Sequence, residues 1–235
     1  MPTAAEPAPL PPAVLRVWDL PTRLFHWALA VVVVALVATA KAGVMEWHFR
    51  LGYAAMALLL FRVLWGFAGG RWSRFAAFVY RPGAVLDYLR GRAPPAHRAG
   101  HSPLGALSVF ALLGVLLLQV ATGLVSDDAI SFTGPLADKV PGAWSSAGTS
   151  WHKSAGQWLV IGLALLHVAA VLFYMLFRRQ QDLVRAMVVG DKRIAGEAAA
   201  PPLPPSRDDA VSRLGAAVLF ALCAALAAWV ASLQG

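Results

Sequence analysis

Of the six histidines in this 235-residue chain, four (His26, His48, His152 and His167) fall in or at the ends of long apolar runs. An imidazole in apolar surroundings is costly unless its nitrogens are used, so a functional role is the reading to test. Imidazole suits iron. Two neutral imidazoles facing each other across a porphyrin give a six-coordinate centre suited to electron transfer and not to oxygen binding. Any one of these histidines, taken alone, is better read as a hydrogen-bonded core residue or an interfacial anchor. Four at matched depths favour ligation of two non-covalent haems, with His26 paired to His167 and His48 to His152.

The elements that must position them are membrane helices. Composition is 59% hydrophobic and only 14% charged, with a mean hydropathy of +0.63, too apolar for a soluble domain of this size. A bilayer core about 30 Å thick takes about 20 mainly apolar residues per helix. Five runs qualify, approximately 24–43, 48–68, 104–125, 153–177 and 213–232. Prolines punctuate the connections: Pro82, Pro94, Pro95 and Pro103 before the third run, Pro135 and Pro141 before the fourth, and Pro201, Pro202, Pro204 and Pro205 before the fifth. The fold class expected is an all-α integral membrane protein, a four-helix haem-binding bundle with a fifth C-terminal transmembrane helix. Residues 1–15, rich in Pro and Ala, read as a disordered cytoplasmic tail. Residues 16–193 form the di-haem domain, 194–210 a Pro-rich linker and 211–235 a tethered last helix.

Charge fixes the expected orientation, because Lys and Arg of short loops stay on the cytoplasmic side. Arg16 and Arg23 precede span one, and six arginines from Arg71 to Arg98 separate spans two and three. Seven more basic residues, from Arg178 to Arg213, separate spans four and five, whereas the other side carries only Lys41, Arg50, Lys139 and Lys153. The N-terminus is therefore expected to be cytoplasmic and the C-terminus outside. The net charge of +8 follows from this topology and does not indicate a nucleic-acid partner. Glu6 and the missing basic n-region argue against a cleaved signal peptide. The single Cys223 excludes an intrachain disulfide, and with no Cys-x-x-Cys-His there is neither a c-type haem attachment nor an iron–sulfur ligand set.

Depth assigns the pairs. His48 and His152 each open a span that enters from the outer side, so their rings share a leaflet. His167 lies fifteen residues beyond His152, about 22 Å deeper and rotated by roughly 60° from the same face. That puts it towards His26, near the cytoplasmic start of span one. By this count His26 sits closer to its surface than His167 does, a mismatch that helix tilt can absorb. Gly52 and Gly156 follow their histidines by four residues, on the same face, and would let a flat macrocycle approach the backbone. Arg62, fourteen residues below His48, and Arg23, three before His26, are candidates for neutralising haem propionates. Snorkelling to lipid headgroups is the competing reading and weighs more for Arg23. His97 and His101 have no partner at the right depth and are expected to be solvated, although His101, in Gly100-His101-Ser102-Pro103, is placed to border a quinone or a propionate.

Several other features carry less chemistry. Trp18, Trp27, Trp47, Trp65, Trp144 and Trp151 cluster near the expected interfaces as an anchoring belt. Asp127 and Asp128 are a solvated loop pair able to face a basic partner. An internal echo also shows: Trp47-His48-x-x-x-Gly52 opens span two as Trp151-His152-x-x-x-Gly156 opens span four. Val37-Ala38-Thr39-Ala40 likewise matches Val120-Ala121-Thr122-Gly123 near the ends of spans one and three.

The stretch Val17-Trp18-Asp19-Leu20-Pro21-Thr22-Arg23-Leu24-Phe25-His26-Trp27 resembles the start of the bacterial cytochrome b561 family, which includes the b-type cytochrome subunits of nickel–iron hydrogenases and formate dehydrogenases. Glu46-Trp47-His48 with Gly52 and Arg62-x-x-Trp65 are similar to its second span. Ser126-Asp127-Asp128, Phe132-Thr133-Gly134-Pro135, Trp151-His152 with Gly156, His167 and Leu183-Val184-Arg185-Ala186-Met187 are similar to its later half, so the resemblance spans about residues 14–193. It implies the same histidine pairing and electron exchange with membrane quinone. The fifth span lies outside the four-helix core that the resemblance covers.

Together these readings predict a di-haem b electron-transfer protein of a bacterial inner membrane. It would pass electrons between the quinone pool and a redox partner such as a cytochrome c or a dehydrogenase or hydrogenase subunit. No Gly-rich nucleotide fingerprint is present, which favours a subunit or shuttle over a self-contained dehydrogenase. Two alternatives stay open from residues alone. One is a stand-alone quinone oxidoreductase acting on a small oxidant or reductant such as superoxide; the other is a His-lined transporter without haem.

Overall fold

In the computed structural model, which describes residues 13–92, 94, 97, 99–177, 183–194 and 203–234, the five apolar runs are five helices long enough to span a bilayer. These are α1 (Leu20–Ala42), α2 (Met45–Ala68), α4 (Pro103–Leu124), the continuous pair α5 (Gly142–Trp151) and α6 (Gln157–Phe177), and α8 (Ala210–Ala231). Two short helices, α3 (Pro82–Leu89) and α7 (Leu183–Val189), lie in the connections.

The starts of α1, α4 and α8 are chemically marked. Asp19 caps α1 by accepting the Thr22 N–H at 2.8 Å, with Pro21 preset for the first turn. Ser102 caps α4 with Pro103 following, and Asp209 caps α8 through Ser212 N–H at 2.8 Å. α1 stops at Gly43, whose φ of 71° suits a glycine and turns the chain straight into α2. The fourth span runs about ten residues further than its hydropathy implied. Gly142-Ala-Trp-Ser-Ser, too polar to read as membrane, continues helically into it through a π turn at His152–Gly156.

α2 is the central and most buried span, packed by α1, α4 and α8. Phe61 and Trp65 of α2 meet Ala216 and Cys223 of α8 in one apolar cluster. Elsewhere the helices expose apolar faces, with Val34, Leu165, Leu166 and Phe177 all more than 60% exposed. Apolar faces of that extent, on helices long enough to span a bilayer, suit a lipid surround.

The end of the bundle where α1 begins carries a cap. Residues 13–15, part of the expected tail, instead form β1 (Ala13–Arg16), antiparallel to β2 (Asp191–Ile194) with Ala13 opposite Ile194 and Arg16 opposite Asp191. Their extended backbone finds its hydrogen-bond partners there; residues 1–12 lie outside the described part. The Pro-rich linker is also built in over residues 203–209. Ser206 Oγ donates to Val17 O at 2.6 Å, and Pro204 O accepts from Trp72 Nε1 at 3.1 Å. Leu15, Val17, Trp18, Ala99 and Ala186 form the apolar centre of this cap.

α8 is accordingly fixed at both ends and not merely tethered. At the capped end Asp208 accepts from Leu20 N–H and pairs with Arg16 and Arg213 at about 3 Å. At the other end Tyr53 donates to Gln234 Oε1 at 2.6 Å, and Gln234 Nε2 donates to Thr133 O at 3.0 Å.

Candidate functional site

The helices bring the four histidines together as two facing pairs. His48 at the start of α2 and His152 at the π turn have ring centroids 6.1 Å apart with planes 84° apart. His26 of α1 and His167 of α6 have centroids 6.4 Å apart at 55°. Two imidazoles that each held one metal ion through a nitrogen at about 2 Å would have centroids roughly 6 Å apart. Both pairs therefore fit a shared iron, as the ligand set requires.

Helix boundaries account for the depth match. α1 starts at Leu20 and not near residue 24, so His26 lies six residues in, about 9 Å from the helix start at 1.5 Å per residue. That narrows the mismatch with His167, which is ten residues from the described end of α6. The π turn takes more residues per revolution than an α turn. It thus reduces the angle carried from His152 to His167 and brings both nearer one face of the span.

The pair at the uncapped end is oriented by main-chain carbonyls. His48 Nδ1 is 3.0 Å from Leu36 O and His152 Nδ1 is 2.8 Å from Gln119 O. In the tautomer that donates from Nδ1, each ring is left with Nε2 as its free lone pair, the form a metal takes. Gln119 Nε2 also donates to His152 O at 2.9 Å, so one α4 side chain braces the π turn. Gly123 matters just as much: a Cβ there would come within 2.8 Å of the His152 ring. Gly52 faces open space, as an approach of a flat group would need. Gly156 does not; a side chain there would collide with Gln119 Oε1 and Trp151 Nε1, so it serves close packing of the π turn.

At the capped end, His26 Nδ1 and Arg62 Nη1 are buried and have no hydrogen-bond partner among the described residues. His167 Nδ1 is 3.5 Å from Ser108 Oγ, too long to fix the ring. Arg62 is 4% exposed and stacks on Phe75 at 4.9 Å. A buried guanidinium with a spare donor fits an anionic substituent of a cofactor. Arg23 does not snorkel. It donates to Val188 O and lies 3.9 Å from Asp208.

His97 and His101 are half-buried and not fully solvated, and His101 lies beside Arg62, as the reading that it borders a propionate would need. His101 lies between Trp18 and Phe78, with centroids 4.6 and 4.4 Å away. Its burial, reinforced by the Arg62 charge, lowers its pKa to about 3, so it stays neutral. His97 sits edge-on to Tyr80 at 4.7 Å. Of the tryptophans, Trp27, Trp47 and Trp144 are exposed as a belt requires, whereas Trp18 and Trp65 are core residues.

Sequence reasoning missed Asp19 altogether. It is fully buried and accepts from Thr22 N–H, Trp65 Nε1, Gly70 N–H and Ser73 Oγ, tying the start of α1 to the end of α2 beside the capped-end pair. The available sign was an Asp just ahead of Leu-Pro-Thr, an N-cap pattern. Gln119 has no comparable signature, since a lone Gln in an apolar helix says nothing of its partner.

Comparison with known proteins shows the family. The family model for prokaryotic cytochrome b561 matches residues 17–190. A relative described as "Probable Ni/Fe-hydrogenase B-type cytochrome subunit" from Azotobacter chroococcum mcd 1 is 26% identical over 215 residues, covering 74% of this chain and 86% of its own. Its counterpart in Azotobacter vinelandii is 27% identical over 217 residues, covering 74% and 86%. The "Probable Ni/Fe-hydrogenase 1 B-type cytochrome subunit" of Escherichia coli (strain K12) is 24% identical over 188 residues, covering 65% and 80%. No solved structure matches. A multi-pass helical bundle, facing histidine pairs and a family match over most of its length identify this chain as a member of the prokaryotic cytochrome b561 family, a membrane electron-transfer cytochrome of the haem b type.

Proposed function

We propose that the chain holds two haem b groups, one between His48 and His152 and one between His26 and His167, and moves electrons across an inner membrane between quinone and a redox partner protein. The observation that carries this reading is the pair of ring separations, 6.1 and 6.4 Å, at opposite ends of one bundle. Haem iron supplies the one-electron step; the chain supplies ligands, spacing and electrostatics. His152 and His167 lie on one continuous span, so α5–α6 links both centres covalently and holds their separation fixed.

Arg62 is proposed to neutralise a propionate at the capped end, supported by its burial and its spare donor. Arg23 is bound into the cap through Val188 and Asp208, and its buried Nε, also without a partner among the described residues, keeps it a second candidate for a propionate. The basic residues on the capped side support a cytoplasmic N-terminus, placing the His26–His167 haem nearer the cytoplasm. The names of the relatives support a hydrogenase as the partner.

The test is a reduced-minus-oxidised visible spectrum with haem quantification on the purified chain. Two haems per chain are expected. His152→Ala should remove the haem at the uncapped end and His26→Ala the other, each leaving its neighbour spectrally intact. Fewer than two haems in fully loaded protein would refute the pairing.

A further inference from the structure

The echo between Val37-Ala38-Thr39-Ala40 and Val120-Ala121-Thr122-Gly123 has a counterpart in the hydrogen bonds. The carbonyl that holds His48 belongs to Leu36, three residues before Thr39, and the one that holds His152 belongs to Gln119, three residues before Thr122. Thr39 Oγ1 lies 2.7 Å from Ala35 O and 3.1 Å from Leu36 O. Thr122 Oγ1 lies 2.8 Å from Leu118 O and 3.1 Å from Gln119 O. In each half a single hydroxyl proton is shared between two carbonyls, and its longer leg falls on the oxygen that holds the histidine.

Threonine bonding back to its own helix is ordinary. Its landing twice, at matching distances, on the acceptor of a ligand histidine is not. The other pair has no such arrangement, since His26 Nδ1 has no partner among the described residues and His167 Nδ1 reaches only Ser108 Oγ at 3.5 Å.

We propose that Thr39 and Thr122 are matched positioning residues that set the reduction potential of the haem between His48 and His152, an assignment that rests on the haem reading above. The physical chain is short. A carbonyl accepting Nδ1–H shifts electron density towards Nε2, which strengthens the imidazole as a donor and favours ferric iron. The same carbonyl already accepts an amide within its helix. A share of a hydroxyl proton further reduces its pull on Nδ1–H. The two threonines therefore hold the potential of this haem up, one through each axial ligand.

The test is a spectroelectrochemical titration of the purified, haem-loaded, full-length chain at one pH, comparing Thr39→Val, Thr122→Val and the double variant. The reading is taken at the solution potential where the native haem is half reduced. Each single variant is expected to lower the reduced-to-oxidised ratio of the His48/His152 haem roughly threefold and the double variant roughly tenfold. The His26/His167 haem should not move, and the low-spin ferric EPR signal of the first haem alone should change. Thr39→Ser and Thr122→Ser, which keep the hydroxyl, should restore the native ratio. Thr→Ala at each site removes the same hydroxyl without bulk and carries the same expectation if a Val variant folds poorly. An unmoved potential, an upward shift, or an equal shift in both haems would overturn the proposal. A chain that binds no haem at all would instead defeat the function proposed above.

Discussion

At the scale of single residues, Asp19 concentrates the bonding of the capped end. One carboxylate accepts from two amides, an indole and a hydroxyl with no exposure to solvent. Asp19→Ala removes the N-cap of α1 and leaves those donors buried without an acceptor, at a cost of about 3 kcal/mol or more. Thermal unfolding in detergent should show it as a marked drop in Tm, with the haem next to His26 released first. Gly123 is decisive for a steric reason. In Gly123→Ala the added methyl presses on the His152 ring, so the haem proposed between His48 and His152 should be retained poorly while the one proposed between His26 and His167 stays bound, as read by haem quantification. The four histidines themselves were legible in the sequence, because polar rings in apolar runs are few. Their supports were not. Leu36 and Gln119 act through main-chain oxygens that every residue has, and only packing shows which oxygen meets which ring.

At the scale of elements, the loop between α4 and α5 shows how local bonds replace a core. Asp128 Oδ1 accepts from the amides of Ile130, Ser131 and Phe132, which lower its pKa to about 2, with Lys153 adding to the effect. A carboxylate depressed from 3.8 contributes its stabilisation fully above about pH 4 and loses it as the pH falls through about 2. Protection factors of the Ile130–Phe132 amides should therefore fall across that acid window, and Asp128→Ala, which removes the acceptor, should leave them low already at neutral pH. The sequence reading took this pair as solvated and able to face a basic partner; the structure adds that Asp128 builds the turn. The fourth span shows a different failure of legibility. Hydropathy finds where a helix becomes apolar, not where it begins, so α5 and the π turn at His152 were invisible to it.

Taken as a whole molecule, the protein is an asymmetric bundle with a basic, hydrogen-bonded cap at one end and, at the other, the tight α1–α2 turn and the longer connection over residues 125–141. The proposed orientation has a direct check. A reporter active only outside the cytoplasm should be active when fused after residue 234 and inactive when fused near residue 190, because the basic connections on the capped side are retained within. The reverse pattern would invert the assignment of haems to leaflets while leaving their ligands unchanged. α8 adds to this whole in a way that the family match, ending at residue 190, does not cover. It seals the α2 face around Phe61 and Trp65 and is locked through Asp208 and Gln234. A fifth helix that reads as an appendix is thus part of the core.

The sequence by itself determined the class of solvent, the number of spans and which histidine rings come to face each other. Apolar run length, breaker residues and depth along a helix are one-dimensional quantities that a single chain displays in order. Only the tertiary structure decided what holds those histidines, what Gly123 and Asp19 pack and bond against, and that residues 13–15 and 203–209 belong to a folded cap. Those outcomes depend on contacts between positions as far apart as Val17 and Ser206. Such contacts are set by shape complementarity and hydrogen-bond satisfaction between elements, and composition and spacing leave no trace of them.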